Sequence, residues 1–259
     1  MRIWNDLAEW QERRRTLEGL SIGFVPTMGA LHSGHASLVE RCRSENEIVV
    51  ASLFVNPTQF NDPKDLERYP RTLDADLALL RSLGTDDVLA PRPEELYPHG
   101  YRFRVTSEAA GTLMEGRSRP GFFDGVLTVV LKLLNLVRPA NAYFGEKDFQ
   151  QLRVMTEMVE DFFLPTRIVP CPTVREGSGL AQSSRNRLLT PAGRERAAVI
   201  YRVLTTAGGP GEAREKLQAE GFEVDYVEEH WGRRFAAVFL EGVRLIDNVP
   251  LVESHAALS

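Results

Sequence analysis

Cysteine is scarce: Cys42 and Cys171 are the only two, and they form no CxxC pair. That leaves no basis for a disulfide framework or a thiolate zinc cluster, and both read as buried thiols of a reducing compartment. Long apolar runs are also missing. None approaches the ~18 residues of a membrane-spanning helix, and Met1 to Asp6 hold no signal-peptide core. The expected location is therefore cytoplasmic, with no membrane partner. Positive charge is not in excess: 31 basic against 36 acidic residues give a net −5, so the chain has no overall basic footprint for nucleic acid. There is no internal repeat and no low-complexity segment. What remains is an ordinary soluble composition, 43% hydrophobic and 26% charged, over a length suited to one large domain or two smaller ones.

The hydrophobic pattern alternates between two periods. Residues 5–18 and 35–46 carry helical stripes, whereas 48–55 (Ile-Val-Val-Ala-Ser-Leu-Phe-Val) is an almost continuous apolar run, the pattern of a parallel strand covered on both faces. A polar loop is expected up to Arg71. Thr72 is then a candidate N-cap for a helix with Leu73, Leu77 and Leu80 inward. Residues 87–90 read as a short strand, and 92–122 as a long excursion with short elements, of the kind that covers sites. A helix over 125–137, a strand over 142–144, a helix capped by Asp148 and a strand over 166–169 follow. This alternation predicts an α/β fold, an open parallel sheet with helices on both faces. Beyond about residue 171 the texture changes. Thr190-Pro191 starts a helix, and strands are expected at 222–228, 234–240 and 243–247, a smaller α+β domain. The predicted division is 1–171 and 172–259.

The chemistry concentrates where strands end. Residues 22–38 run strand, glycine-containing loop, helix, with His32 and His35 where the helix begins. A helix N-terminus has unpaired N–H groups and a positive dipole end, which suits phosphate. Gly29 and Gly34 permit close approach of the main chain, and the imidazoles add donors. Three more segments have the same polar character. Gln59 offers an amide to a carboxylate or hydroxyl. Lys147, at a strand-to-helix junction, is a point charge suited to phosphate, and Gln151 lies one turn further on. Ser183, Ser184 and Arg185 can wrap phosphate oxygens. Asp76 is a carboxylate able to hold Mg²⁺ beside a triphosphate. Each has a bland reading when taken alone: a turn glutamine, an exposed lysine, a solvated linker, a helix-surface aspartate.

The ordered combination is more specific. His-Ser-Gly-His at 32–35 resembles the His-x-Gly-His signature of the nucleotidyltransferase superfamily. The series Pro-Thr-Met-Gly-Ala-Leu-His-Ser-Gly-His, Phe-Val-Asn-Pro-Thr-Gln-Phe, Tyr-Pro-Arg-Thr, Arg-Pro-Gly-Phe-Phe-Asp-Gly-Val, Phe-Gly-Glu-Lys-Asp-Phe-Gln-Gln, Ser-Ser-Arg-Asn and Arg-Leu-Ile-Asp-Asn resembles the pantothenate synthetase (pantoate–β-alanine ligase) family from about Gly23 to Asn248.

The resemblance implies a Rossmann-like N-terminal domain, a smaller C-terminal one acting as lid or dimer partner, and a homodimer. It implies ligation of pantoate to β-alanine with ATP and Mg²⁺, releasing AMP and pyrophosphate. Carried onto this chain, ATP would be bound by Met28, Gly29, Ala30, Leu31, His32, Ser33, Gly34 and His35, with His35 as the family's proton donor. Gly145, Glu146, Lys147 and Asp148 would also hold ATP, as would Gln182, Ser183, Ser184 and Arg185, and Val174 would contact adenine through its main chain. Gln59 would contact pantoate and β-alanine, Gln151 pantoate, and Asp76 matches a position that can hold magnesium. His35, His32, Lys147 and Arg185 are the expected catalytic group. Gln182 stands where the family usually has Leu or Met, Phe122 replaces a usual His, and the C-terminal part is short for the family. Two rivals stay open at this point: another His-x-Gly-His nucleotidyltransferase acting on a small acid, and a non-catalytic nucleotide-binding or tRNA-interacting module.

Overall fold

A computed structural model describes residues 1–251, which form two compact units, Met1–Thr173 and the chain from Val174 onward. The first contains β1 (Arg2–Trp4), α1 (Leu7–Arg15), β2 (Ile22–Thr27), α2 (Ser33–Glu45), β3 (Ile48–Leu53), α3 (Pro63–Arg68), α4 (Leu73–Ser82), β4 (Asp87–Leu89), α5 (Pro93–Leu96), α6 (Glu108–Thr112), α7 (Met114–Ser118), α8 (Phe122–Val137), β5 (Asn141–Gly145), α9 (Phe149–Asp161) and β6 (Arg167–Cys171). All the strand pairs are parallel, in the order β1-β4-β3-β2-β5-β6.

The apolar runs of these strands feed two cores because successive side chains point to opposite faces. Phe24, Val50, Leu89, Ala142 and Phe144 join one cluster with Trp10 of α1, Val126 to Val137 of α8 and Met155 of α9. Their neighbours Val25, Val49, Ala51, Val88 and Tyr143 join the other, with Leu38, Val39 and Cys42 of α2 and Leu80 of α4. The helices thus cover both faces of the sheet. Packing of α2 on β2 is close: a Cβ on Gly23 would lie 2.3 Å from Cys42 Sγ and 2.5 Å from Asn46 Nδ2.

Several local expectations are corrected. The stretch before Arg71 is not all loop: Asn56 and Asp62 each cap a short helical turn, Pro57–Gln59 and α3. Thr72 precedes α4 but its side chain makes no capping bond, and its hydroxyl donates to Asp76; Leu73 is exposed rather than inward. Asp148 makes no side-chain cap for α9, since its carboxylate pairs with Lys147. The excursion 92–122, by contrast, holds short elements as expected, α5, α6 and α7. β1 is an element the pattern does not announce; its three residues are too few for a periodic signal.

The second unit holds α10 (Pro191–Ala197), α11 (Val199–Thr206), α12 (Pro210–Ala219), β7 (Glu223–His230), β8 (Arg233–Leu240) and β9 (Val243–Pro250). Thr190 caps α10 as expected, its hydroxyl accepting from the Gly193 N–H at 3.0 Å. α12 is a further helix beyond the expected elements. The strands form an antiparallel meander, β7-β8-β9, through two-residue turns at Trp231-Gly232 and Glu241-Gly242. All four turn residues have positive φ, the backbone that matches the twist of paired strands.

Candidate active site

In the first unit β2 lies between β3 and β5, so the chain leaves β2 toward one side of the sheet and later returns on the other. Ligands of such sheets bind in the crevice outside the carboxyl ends of the strands, at this reversal. Three expected segments start there. The loop carrying His32 and His35 follows β2, the Asn56–Gln59 turn follows β3, and Gly145–Asp148 follows β5.

The first loop is held almost entirely by its own neighbourhood. Thr27 Oγ1 accepts from the Gly29 N–H at 3.1 Å. The buried carboxylate of Asp76 accepts from the next two, Ala30 N to Oδ2 at 2.9 Å and Leu31 N to Oδ1 at 2.8 Å. Gly29 and Ala30 both have left-handed backbones, with φ of 77° and 50°. For alanine that conformation costs roughly 1 kcal/mol, so a partner must hold it. The histidines then cap α2 themselves. His32 Nδ1 accepts from Gly34 N at 3.1 Å, and His35 Nδ1 from His32 N at 3.3 Å. The rings lie 4.1 Å apart between centroids.

Two of the N–H groups at this helix start, those of His32 and Gly34, are thus already engaged. The same bonds also set a tautomer. A ring nitrogen that accepts a hydrogen bond carries no proton, so in the neutral ring the proton sits on Nε2.

After β3, Gln59 is buried at the end of its turn. Its Oε1 accepts from Asn56 Nδ2 at 3.0 Å, and its carbonyl from Arg119 Nη2 at 3.1 Å. The Arg119 guanidinium lies 3.7 Å over the Phe122 ring, so the phenyl forms a platform for this arginine. α8 packs directly on the turn: a Cβ on Gly125 would lie 2.4 Å from the Thr58 carbonyl oxygen. Sequence reasoning assigns no role to Asn56, Arg119 or Gly125. Arg119 and Gly125 lie in the quoted Arg-Pro-Gly-Phe-Phe-Asp-Gly-Val stretch and Asn56 in Phe-Val-Asn-Pro-Thr-Gln-Phe, which is the available signal.

After β5, Lys147 is mostly buried, with Nζ 3.4 Å from Asp148 Oδ1. The two glutamines that follow part ways. Gln150 is buried, accepting from the Glu115 N–H and donating to the Leu113 carbonyl, both at 3.0 Å, so it ties α9 to α7. Gln151 is half-buried, and no hydrogen bond holds its side chain among the described residues.

The remaining site residues lie in the second unit. The Val174 carbonyl accepts from the Gln182 N–H at 2.9 Å, and Ser183 Oγ accepts from the Arg185 N–H at 3.3 Å. Arg175 fixes the start of this segment, with two bonds to the Asp247 carboxylate, of 2.7 and 2.9 Å, while lying 4.0 Å over the Tyr201 ring.

Asp76 does not meet the requirements of a resident magnesium site. Oδ1 accepts from both Leu31 N and Thr72 Oγ1, and Oδ2 from Ala30 N. Among the described residues no group of three His, Cys, Asp or Glu side chains could hold a metal. No helix among them is long and apolar enough to cross a membrane.

A family model described as pantoate-beta-alanine ligase matches residues 2–250. The pantothenate synthetase of Bdellovibrio bacteriovorus is 54% identical over 244 residues, 94% of this chain and 97% of the relative. That of Legionella pneumophila strain Corby is 51% identical over 249 residues, 96% and 99% of the two chains. Among solved structures, the Francisella tularensis pantoate-beta-alanine ligase, complexed with beta-gamma ATP and beta-alanine, superposes with a TM-score of 0.93 at 43% identity, covering 96% of this chain and 97% of its own. The Thermus thermophilus pantothenate synthetase gives 0.89 at 44% identity, with 96% and 99% covered. With its sheet order, its strand-end segments and these matches over nearly its whole length, the chain belongs to the pantoate–β-alanine ligase family.

Proposed function

We propose that this enzyme joins pantoate to β-alanine in two steps through a pantoyl adenylate. The carboxylate oxygen of pantoate attacks the α-phosphorus of ATP and pyrophosphate leaves. The neutral amine of β-alanine then attacks the acyl carbon, AMP leaves with the oxygen that came from pantoate, and the nitrogen gives up one proton to solvent. Activation is needed because an oxide is a poor leaving group from a carboxylate. The observation that carries this reading is the set of side chains following three adjacent parallel strands: two imidazoles after β2, an ammonium after β5 and an amide after β3.

In this reading Met28 to His35 and Gly145 to Asp148 bind ATP. The Nε2–H donors of His32 and His35 and the charge of Lys147 follow negative charge as it builds on the α-phosphate and the departing pyrophosphate. His35 serves as the proton donor. Gln59 and Gln151 hold pantoate, with Gln59 also facing β-alanine. Gln182 to Arg185 are further ATP contacts, and the Val174 main chain contacts adenine. Much of the rate then comes from positioning rather than covalent chemistry by the protein. The assembled enzyme is a homodimer, which sedimentation would test.

Pantoate labelled with ¹⁸O in its carboxylate tests the route. One labelled oxygen should appear in AMP, with AMP release dependent on β-alanine. A stable nucleotide conjugate, or AMP without label, would overturn the adenylate route.

A further inference from the structure

The loop between β2 and α2 has to present two imidazoles in a fixed geometry, yet its backbone is in a conformation that an alanine resists. Consecutive left-handed residues at Gly29 and Ala30 turn the N–H groups of Ala30 and Leu31 to one side. In water such a pair would fray. Here a carboxylate fills the turn: Asp76 takes both N–H groups at 2.9 and 2.8 Å, and is itself only 4% exposed. Bonds to a charged acceptor in low dielectric are among the strong ones. The Thr72 hydroxyl, 3.1 Å from Oδ1, steadies the carboxylate from the start of α4. Even the glycine is fitted to it, since a Cβ on Gly29 would meet Asp76 Oδ2 at 3.0 Å.

We propose that Asp76 is a positioning residue that locks the His32/His35 loop into its ATP-binding shape, and that it does so without a metal ion. A carboxylate already accepting three hydrogen bonds has little capacity left for a cation. A magnesium ion accompanying ATP would then take its oxygens from phosphate and water without Asp76. Asp76 acts on the nucleotide through the loop and needs no contact with it. The inference rests on the proposed ATP site.

Asp76→Asn separates the two roles. The amide keeps the size but removes the charge, and one of its two ends presents donors to a backbone donor. Two measurements are made on the intact protein. The first is ATP affinity by calorimetry, in magnesium and again in EDTA. A positioning role predicts a loss of about 10-fold or more, the size expected when charge-assisted bonds are broken, and the same loss in both conditions. The second is amide hydrogen exchange without ligand. Exchange should rise about 10-fold or more over 28–32, with no comparable rise over the β3 control segment 48–53. A loss of affinity confined to the magnesium arm, with unchanged exchange at 28–32, would overturn the inference. If the wild-type protein binds no ATP in either condition, the ATP site itself fails, while the exchange result still decides whether Asp76 holds the loop. Should Asp76→Asn not fold, Thr72→Val removes one of the three contacts and keeps the charge. It should show the same metal-independent pattern at smaller amplitude, and an unchanged loop would again refute the lock.

Discussion

Gln59 Oε1 lies 3.0 Å from Asn56 Nδ2, and this contact decides which end of the glutamine amide is left for a ligand. The Asn56 nitrogen is identified by its other partner, the Gly125 carbonyl at 3.1 Å, which can only accept. Asn56 Oδ1 in turn accepts from the Tyr97 hydroxyl at 2.8 Å. The glutamine therefore offers its NH₂ group, a donor, which suits a carboxylate.

Replacing Asn56 by Asp removes the donor and sets carboxylate oxygens against Gln59 Oε1 and the Gly125 carbonyl. Loss of a buried hydrogen bond with its partner left unpaired costs ~1–3 kcal/mol. KM for pantoate should rise about 10- to 100-fold, with ATP affinity within a few-fold of wild type. Steady-state kinetics with each substrate varied in turn checks the split.

Gly125→Ala reaches the same turn from below. Its Cβ would sit 2.4 Å from the Thr58 carbonyl oxygen and 2.8 Å from the Gln59 nitrogen, both backbone atoms that cannot swing aside. Overpacking of this kind costs ~1–3 kcal/mol. Lower thermal stability and a raised KM for pantoate are expected together. A variant that melts and turns over like wild type would show that α8 does not brace the turn.

Lys147→Ala should slow adenylate formation by ~10²-fold or more, as for loss of one preorganised charge-stabilising donor. Single-turnover measurement of pyrophosphate release isolates that step. Rates within a few-fold of wild type would remove Lys147 from the chemistry.

The Cys42 thiol is pushed up to about 12, chiefly by burial, from an ordinary value of 9.0. Burial also raises Cys171 and Tyr143. A buried neutral thiol resists ionisation, whereas the unfolded chain ionises near the ordinary value and so binds fewer protons above it. This contribution to stability is intact below the unfolded value and declines as pH rises from about 9 toward 12. Urea unfolding from about pH 8 to about pH 11 should show that decline. Cys42→Ala should make it shallower without abolishing it, since Cys171 and Tyr143 contribute with the same sign.

Much of this protein is written locally. The β-branched run at 48–53, the helical stripe of α8 and the Thr190-Pro191 start depend on short-range pattern and capping, so each is readable before any contact is known. The segments that end the strands are readable too, because parallel strands deliver their loops to one edge whichever strands are neighbours. Composition also excludes a disulfide scaffold and a membrane helix.

Other assignments depend on partners remote in sequence. Asp76 reads as a helix-surface carboxylate or a metal ligand, and only its approach to residues 45 and 46 positions earlier makes it a lock for a strained loop. Arg119 gains a role only when folding sets it against the Gln59 carbonyl, 60 positions earlier, and the Asn56 amide is oriented by the Gly125 carbonyl, 69 positions later. Thr72 has the signature of a cap, but a buried carboxylate one turn away captures its hydroxyl. Sequence pattern reports which faces are apolar and where the backbone can turn. It does not report which polar groups lose water together, and that loss, decided only by packing, sets the partners they must take.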